Sequence, residues 1–236
     1  MLKLTKEGAQ KLGAHLKQNN LLHSSTKFAF YRNREIQYVP FFTIDEEMCF
    51  CNNIIGLLNK IQESDDPSHW YLFMDSSSYS FKAILIHKTN LKVVPIAYSK
   101  IKKETYELVK CILCKIEYNS FKWDVFGDFK IFGLLMGIQP GNVQHPCFLC
   151  KWKSRAPNQY SVGSWPLRTS FSIGNENIVA LPLIDRDRIL LPPLHIKLGL
   201  LKNFIKCLHK DLEAIQHLHH IFPKLSEAKM KAGVLN

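Results

Sequence analysis

The stretch Trp70-Tyr71-Leu72-Phe73-Met74-Asp75 decides the fold class, because a short apolar run that ends on a carboxylate is typical of a buried strand. A second apolar run, Trp123-Asp124-Val125-Phe126-Gly127-Asp128, ends in the same way. Carboxylates at the ends of neighbouring strands can hold two divalent cations about 4 Å apart for phosphoryl chemistry. Either aspartate alone could simply end a strand or cap a helix. Together, they predict that Asp75 and Asp128 are catalytic ligands for Mg²⁺ or Mn²⁺.

The segments around these two aspartates follow a regular order. Apolar runs at 81–87 and 92–98, joined by short turns, predict two further strands of an antiparallel meander. The periodicity then predicts a helix over 103–118, a strand over 121–126 and a helix over 129–136. A meander followed by a crossover helix and a parallel strand is the beginning of a ribonuclease-H-like fold. We therefore expect an α/β protein with a mixed sheet.

The remaining segments are less regular. The pattern predicts a helix within 1–25, short strands at 27–31 and 36–42, and a helix that Asp45 caps and that runs to 58. Between Gly137 and Gly174, glycine and proline residues recur along a stretch that is too long for a structureless loop unless other residues anchor it. A helix follows Pro192-Pro193. The predicted division is an N-terminal mixed region (1–66), the core (67–137), an irregular cysteine-bearing insertion (138–192) and a C-terminal helical segment (193–236).

The composition points to a polyanionic partner. Lysine and arginine number 31 against 20 acidic residues, a net charge of +11, which suits nucleic acid first and an acidic membrane second. The sequence lacks an apolar run of the ~20 residues that a spanning helix needs, and its N-terminus lacks the apolar core of a signal peptide. We expect DNA as the partner and neither a membrane nor a small-molecule substrate. The sequence leaves a homo-oligomer open.

The seven cysteines are expected to be thiols or metal ligands in a reducing compartment. Cys147 and Cys150 have the spacing of two zinc ligands. His195 is the predicted third ligand, and His145 or His209 is a weaker fourth. A redox pair is the rival interpretation, although such a pair normally stands at the start of a helix. Two buried thiols in an apolar turn are the simplest alternative.

A second Cys-x-x-Cys, at Cys111 and Cys114, falls inside the helix predicted over 103–118. Because Val109 and Ile116 mark an apolar face nearby, we expect these two cysteines to be small core residues.

Basic residues occur in small groups. Lys151-Trp152-Lys153 alternates an aromatic ring with positive charge, as a surface that follows a nucleic-acid strand would. A solvated helix face is the alternative for any single lysine. The predicted nucleic-acid contacts are Lys130, Lys151, Trp152, Lys153, Arg155, Lys197 and Lys202.

Several motifs resemble those of a large group of transposon-derived open reading frames. They are Asp75-Ser76-Ser77, Gly127-Asp128-Phe129-Lys130, Pro146-Cys147-Phe148-Leu149-Cys150 and Leu191-Pro192-Pro193-Leu194-His195. More distantly, the order of Asp128, Cys147/Cys150 and His195 resembles that of CACTA-type (En/Spm) cut-and-paste transposases. The resemblance covers roughly residues 27–233.

This resemblance implies a ribonuclease-H-like core with an acidic triad, in which Asp75 and Asp128 are the first two members. The contexts of Glu213 and Glu227 do not match the expected third member. We therefore expect a truncated, transposase-like nuclear protein whose full-length relatives cleave and transfer DNA strands, and which is inactive alone. Two alternatives remain: a catalytically dead DNA-binding or interaction module with a structural zinc site, or a globular protein whose charge and cysteines carry no special role.

Overall fold

The computed structural model describes residues 5–23, 25–26, 33–77, 80–100, 104–157, 161–207 and 213–221. The strands are β1 (Phe42–Asp45), β2 (Met48–Cys51), β3 (Trp70–Ser76), β4 (Phe81–His87), β5 (Val93–Ser99) and β6 (Asp124–Phe126). The α-helices are α1 (Lys6–Gln18), α2 (Ile54–Lys60), α3 (Tyr106–Lys115), α4 (Tyr118–Phe121), α5 (Phe129–Leu135), α6 (Pro193–Cys207) and α7 (Glu213–Ile221). The six strands form one mixed sheet in the order β1-β2-β5-β4-β3-β6. The predicted mixed α/β class is therefore confirmed.

The predicted meander is confirmed as well. Strand β4 pairs antiparallel with β3 on one side and with β5 on the other. Trp70, Leu72 and Met74 are fully buried, while the residues between them are partly accessible, because successive side chains of a strand point to opposite faces of the sheet. Strand β6 pairs with β3 in parallel, as predicted for the strand after the crossover helix.

Helices α3 and α5 cover the core. The Thr105 side chain caps α3 by accepting a hydrogen bond from Leu108 N at 3.2 Å. The buried face of α3 carries Leu108, Val109 and Ile112, in the i, i+1, i+4 spacing of an amphipathic helix. Cys111 and Cys114 are exposed because they lie on the opposite face of α3. The prediction that they are core residues is therefore wrong.

The N-terminal region differs from the predicted pattern. Residues Asn33–Phe41 form a 3-10 helix where a strand over 36–42 was expected. The helix expected from Asp45 onward is replaced by the hairpin of β1 and β2, with Glu46 at a positive φ of 52° in its turn. This hairpin forms because β2 pairs with the edge of β5, which a local pattern does not reveal. Helix α2 follows, capped by Asn53. The strand predicted at 27–31 lies outside the described residues.

Two other elements are shorter than predicted. The N-terminal helix spans only Lys6–Gln18, after a Thr5 cap. The helix expected over 103–118 ends at Lys115, and Glu117 adopts a left-handed conformation before the single turn α4. Because α4 takes up residues through Phe121, β6 begins at Asp124 instead of residue 121.

The insertion is irregular, as predicted. Between α5 and α6 the described residues contain one short 3-10 turn, Arg186–Arg188, and isolated bridges. One bridge pairs Ile189 in parallel with Val125, and Leu190 N donates to Val125 O at 2.9 Å. The chain therefore returns to the outer edge of β6 before α6 begins. No helix in the described ranges is long and apolar enough to cross a membrane.

Candidate functional site

The parallel pairing of β3 with β6 brings the carboxyl ends of both strands, and with them Asp75 and Asp128, to the same end of the sheet. The last paired residues are Phe73 and Phe126, so extending this register by two residues sets Asp75 opposite Asp128. Neighbouring strands lie about 4.8 Å apart. A Cβ atom on Gly127 would lie only 3.1 Å from the Met74 carbonyl oxygen, which shows that the segment after β6 runs close to the backbone of β3 at this point.

The two carboxylates have different surroundings. Asp75 is exposed near the end of β3 and faces Lys82 on the paired strand β4. Asp128 is half-buried and caps α5, because its Oδ1 atom accepts a hydrogen bond from Ile131 N at 2.7 Å. The predicted alternative role of Asp128 as a helix cap is therefore confirmed. Within the described part of the chain, this is the hydrogen bond that the Asp128 carboxylate makes, and it engages one of the two oxygens.

The donor chemistry at this edge fits a hard divalent cation. Mg²⁺ and Mn²⁺ prefer carboxylate oxygens, and Mg²⁺ usually keeps several waters while it binds one or two protein carboxylates. Asp75 offers an exposed carboxylate, and Asp128 offers a carboxylate of which one oxygen has no hydrogen-bond partner among the described residues. Among the side chains that the structure describes, no three His, Cys, Asp or Glu residues converge on a common metal position. The described residues thus bring two carboxylates, and no third candidate ligand, to this end of the sheet.

The loop of Cys147 and Cys150 brings its two thiols together. Leu149 N donates a hydrogen bond to Cys147 Sγ at 3.3 Å. Burial raises the pKa of the Cys150 thiol, and the neighbouring Cys147 thiol raises it further, while a hydrogen bond from Trp152 N opposes the shift. Backbone N–H groups point at both sulfurs and would stabilise the thiolates that form when a bound zinc ion displaces the thiol protons. The loop therefore fits two zinc ligands.

Among the described side chains, none of the other predicted zinc ligands forms a common site with Cys147 and Cys150. His145 has a buried Nδ1 atom without a hydrogen-bond partner, but it does not form a three-ligand group with the two cysteines. His195 lies in the first turn of α6, and its side chain is outside the described part of the chain. His209 also lies outside the described residues.

A buried arginine that the sequence analysis missed holds the insertion together. Arg168 is fully buried, and its guanidinium donates hydrogen bonds to the carbonyl oxygens of Cys147, His145 and Glu176 at 3.1, 3.4 and 3.3 Å. It also forms an ion pair with the Glu176 carboxylate at 3.3 Å. The length of the insertion indicated that some residue must anchor it, but no sequence pattern identified Arg168 as that residue.

The predicted nucleic-acid contacts differ in what they touch. Lys130 forms an ion pair with Glu104 at 2.6 Å, and Lys151 forms one with Glu176 at 3.0 Å. A hydrogen bond from Lys151 lowers the pKa of the Glu176 carboxyl.

The remaining members are more available to a partner. Lys153 and Lys197 are exposed, Trp152 and Lys202 are half-buried, and exposed Arg155 donates a hydrogen bond to Asn142 O at 2.8 Å.

Comparisons with known proteins give a family without an assigned function. The profile of a domain of unknown function, DUF8703, matches residues 30–184. The profile of a second domain of unknown function, DUF8704, matches residues 193–236 and so begins at the first residue of α6. Neither the search of curated proteins nor the search of solved structures gives a match. Because the first profile spans more than half of the sequence, the chain belongs to the DUF8703 family.

Proposed function

We propose that this protein carries the ribonuclease-H-like core of a transposase-like enzyme, and that it acts on DNA with Mg²⁺ or Mn²⁺ held by Asp75 and Asp128. The parallel register of β3 and β6 supports this proposal, because the pairing ends at Phe73 and Phe126, and its extension by two residues would set Asp75 opposite Asp128. The described residues supply two of the three carboxylates that such a core uses. We therefore expect this chain to be inactive in strand cleavage by itself.

The topology supports the same assignment. Strands β5, β4 and β3 form the meander, β6 adds in parallel beside β3, and Ile189 adds in parallel beside β6. Both aspartates stand at the carboxyl ends of their strands, where ligand sites of α/β sheets usually form.

The roles of the two aspartates follow from their surroundings. A divalent cation at such a site neutralises charge on a phosphate and lowers the pKa of a bound water. Asp75 lies exposed at the strand end and would carry the ligand oxygen nearest to the solvent. The hydrogen bond from Ile131 N holds the Asp128 carboxylate in one orientation, which keeps its second oxygen in place. Lys82, opposite Asp75, is positioned to attract a phosphate.

DNA as the substrate agrees with the charge of +11 and with the exposed Lys153 and Lys197. A protein that works on DNA is expected in the nucleus. We expect the full chain to bind a duplex oligonucleotide with an affinity that falls steeply as salt rises, because phosphate contacts release counterions.

The measurement is fluorescence anisotropy across a salt series. Replacing Lys153 and Lys197 together by glutamine should reduce the slope of log affinity against log salt by about two, since each phosphate contact contributes about one. Lys11→Gln, at an exposed position of α1, is the matched control and should keep the wild-type slope. DNA binding that is absent or insensitive to salt would refute DNA as the partner.

A zinc site at Cys147 and Cys150 is a second proposal, supported by the hydrogen bonds that both sulfurs receive. It would give the insertion a structural role in a DNA-binding or interaction module even without catalysis. We expect about one zinc per chain in metal analysis of the purified protein. Because zinc competes with protons for thiolates and the pKa of Cys150 is raised, zinc affinity should fall as the pH decreases.

Serine replacements test the zinc site with an internal control. Cys147→Ser and Cys150→Ser should each lower the zinc content, whereas Cys111→Ser and Cys114→Ser should not. Cys111 and Cys114 are the matched control, because they have the same spacing but lie exposed on a helix face. Equal zinc content in all four variants, or a wild-type protein without zinc, would rule out the assignment.

A further inference from the structure

A cleft opens along helix α5, whose first residue directly follows Asp128. Helix α5 and residues 138–146 enclose a cavity of about 410 Å³. Phe129 and Lys130, which follow Asp128 in the chain, form one wall, and Pro140, Val143 and Pro146 contribute to the other. The cleft therefore combines an aromatic ring and apolar surface within two residues of a proposed metal ligand, and it includes the side chain of Lys130, whose ammonium is paired with Glu104.

Phe129 is an exposed aromatic residue at the start of α5. Half of its surface is exposed (50 %), and its ring meets the buried ring of Phe132 edge-on, with centroids 6.2 Å apart. An exposed ring leaves apolar surface in water that burial would stabilise. Exposed aromatic rings are the usual stacking surface for unpaired bases.

Gly133 keeps the floor of the cleft open. It lies in α5 one turn beyond Phe129, where glycine weakens a helix relative to alanine. A Cβ atom at this position would meet nothing within 4 Å, so neither packing nor a close contact requires glycine. The absence of a side chain there leaves the cavity free for an external group.

We propose that this cleft receives an unpaired nucleobase of the DNA strand whose phosphate lies at Asp75 and Asp128. The inference rests on the proposed function and adds a base-binding subsite to it. A nucleobase is flat and aromatic, fits within 410 Å³ and can stack on Phe129. Its attached phosphate lies on the side of the cleft where Asp128 precedes Phe129 in the chain. Extruding a base toward such a pocket is favoured where the base is already unpaired.

The test compares two DNA duplexes that differ at one position, where one carries an unpaired adenine and the other an abasic site. The full chain is titrated with each, in Mg²⁺ and at one fixed salt concentration, by fluorescence anisotropy. We expect the wild-type protein to bind the duplex with the base at least about five-fold more tightly, since stacking on an aromatic side chain favours the base. Phe129→Ala and Gly133→Leu should reduce this ratio to about one, by removing the platform and by filling the cleft.

Two variants control for side effects. Gly133→Ala adds only one methyl group to the same helix position and should keep most of the preference. Gly163→Leu adds the same bulk at a glycine in the insertion that also has nothing within 4 Å, and it should keep all of it. Thermal melts identify any variant that does not fold.

The outcomes separate this inference from the proposed function. If the wild-type protein binds neither duplex, the proposed function fails and the subsite fails with it. If it binds both duplexes equally, in a salt-dependent way, only the subsite is refuted. A preference that survives in Gly133→Leu would likewise refute the assignment of the base to this cleft.

Discussion

Replacing Arg168 by methionine is expected to destabilise the protein by about 2–5 kcal/mol, because three carbonyl oxygens lose their donor and each buried polar group left unsatisfied costs about 1–3 kcal/mol. Methionine keeps most of the buried volume but donates no hydrogen bond. The carbonyl oxygens of His145 and Cys147 would then be left without the guanidinium that they bind. The Glu176 carboxylate would lose one of its two cationic partners. Urea unfolding of the full chain measures this loss.

Arg155→Met is the matched control, because it makes the same substitution in the same insertion. Arg155 is exposed and makes a single hydrogen bond to Asn142 O, so its loss should cost about 1 kcal/mol or less. Proteolysis within 138–188 should accelerate in Arg168→Met and remain unchanged in Arg155→Met. Equal stability of the two variants would show that Arg168 does not hold the insertion.

Gly137→Ala is expected to destabilise the protein by about 3 kcal/mol. Gly137 has a positive φ of 65°, which costs a residue with a side chain about 1–2 kcal/mol. A Cβ atom there would also lie 2.0 Å from the carbonyl oxygen of Ala180, and forced overlap in a packed interior costs about 1–3 kcal/mol. The Gly137 carbonyl accepts hydrogen bonds from Val179 N and Ala180 N, so the clash would separate the insertion from the end of α5.

Gly141→Ala separates backbone strain from the clash. Gly141 also has a positive φ, of 101°, but a Cβ atom there meets nothing within 4 Å. Its replacement should therefore cost only the conformational part. Thermal unfolding of both variants gives the comparison, and a Gly137→Ala protein that is no less stable than Gly141→Ala would contradict the close approach to Ala180.

The core was predictable from the sequence because its elements carry strong local patterns. The strands at 81–87 and 92–98 and the helix at 129–136 agree with the structure within one residue, since alternation and helical periodicity were both clear there. The hairpin of β1 and β2 was not predictable, because its pairing with β5 is a tertiary contact that overrides local propensity. The exposure of Cys111 was visible in the helical period, because Leu108, Val109 and Ile112 mark an apolar face that Cys111 does not share.

The candidate site shows the same division. The two strand ends that carry Asp75 and Asp128 were predicted from their apolar runs, and the parallel pairing of these strands was predicted from the crossover helix between them and is observed. The anchoring of the Cys147 loop depended on Arg168, a residue 18 positions beyond Cys150 whose burial only the folded chain shows. The ion pairs of Lys130 and Lys151 were equally hidden, because Glu104 and Glu176 are distant in sequence.

The central claim is that Asp75 and Asp128 converge on one divalent cation, and Mn²⁺ titration followed by electron paramagnetic resonance tests it most directly. We predict that the full chain binds Mn²⁺ and that Asp75→Asn and Asp128→Asn each weaken binding at least about tenfold. Asparagine still caps a helix, so Asp128→Asn should keep its thermal stability while its Mn²⁺ affinity falls. If Asp128 served only as a cap, the variant would keep both its thermal stability and its Mn²⁺ affinity. Asp187→Asn, at a side chain that is 90 % exposed, should bind as the wild type does. A wild-type protein that binds no Mn²⁺, or an Asp75→Asn variant that binds it unchanged, would contradict the claim.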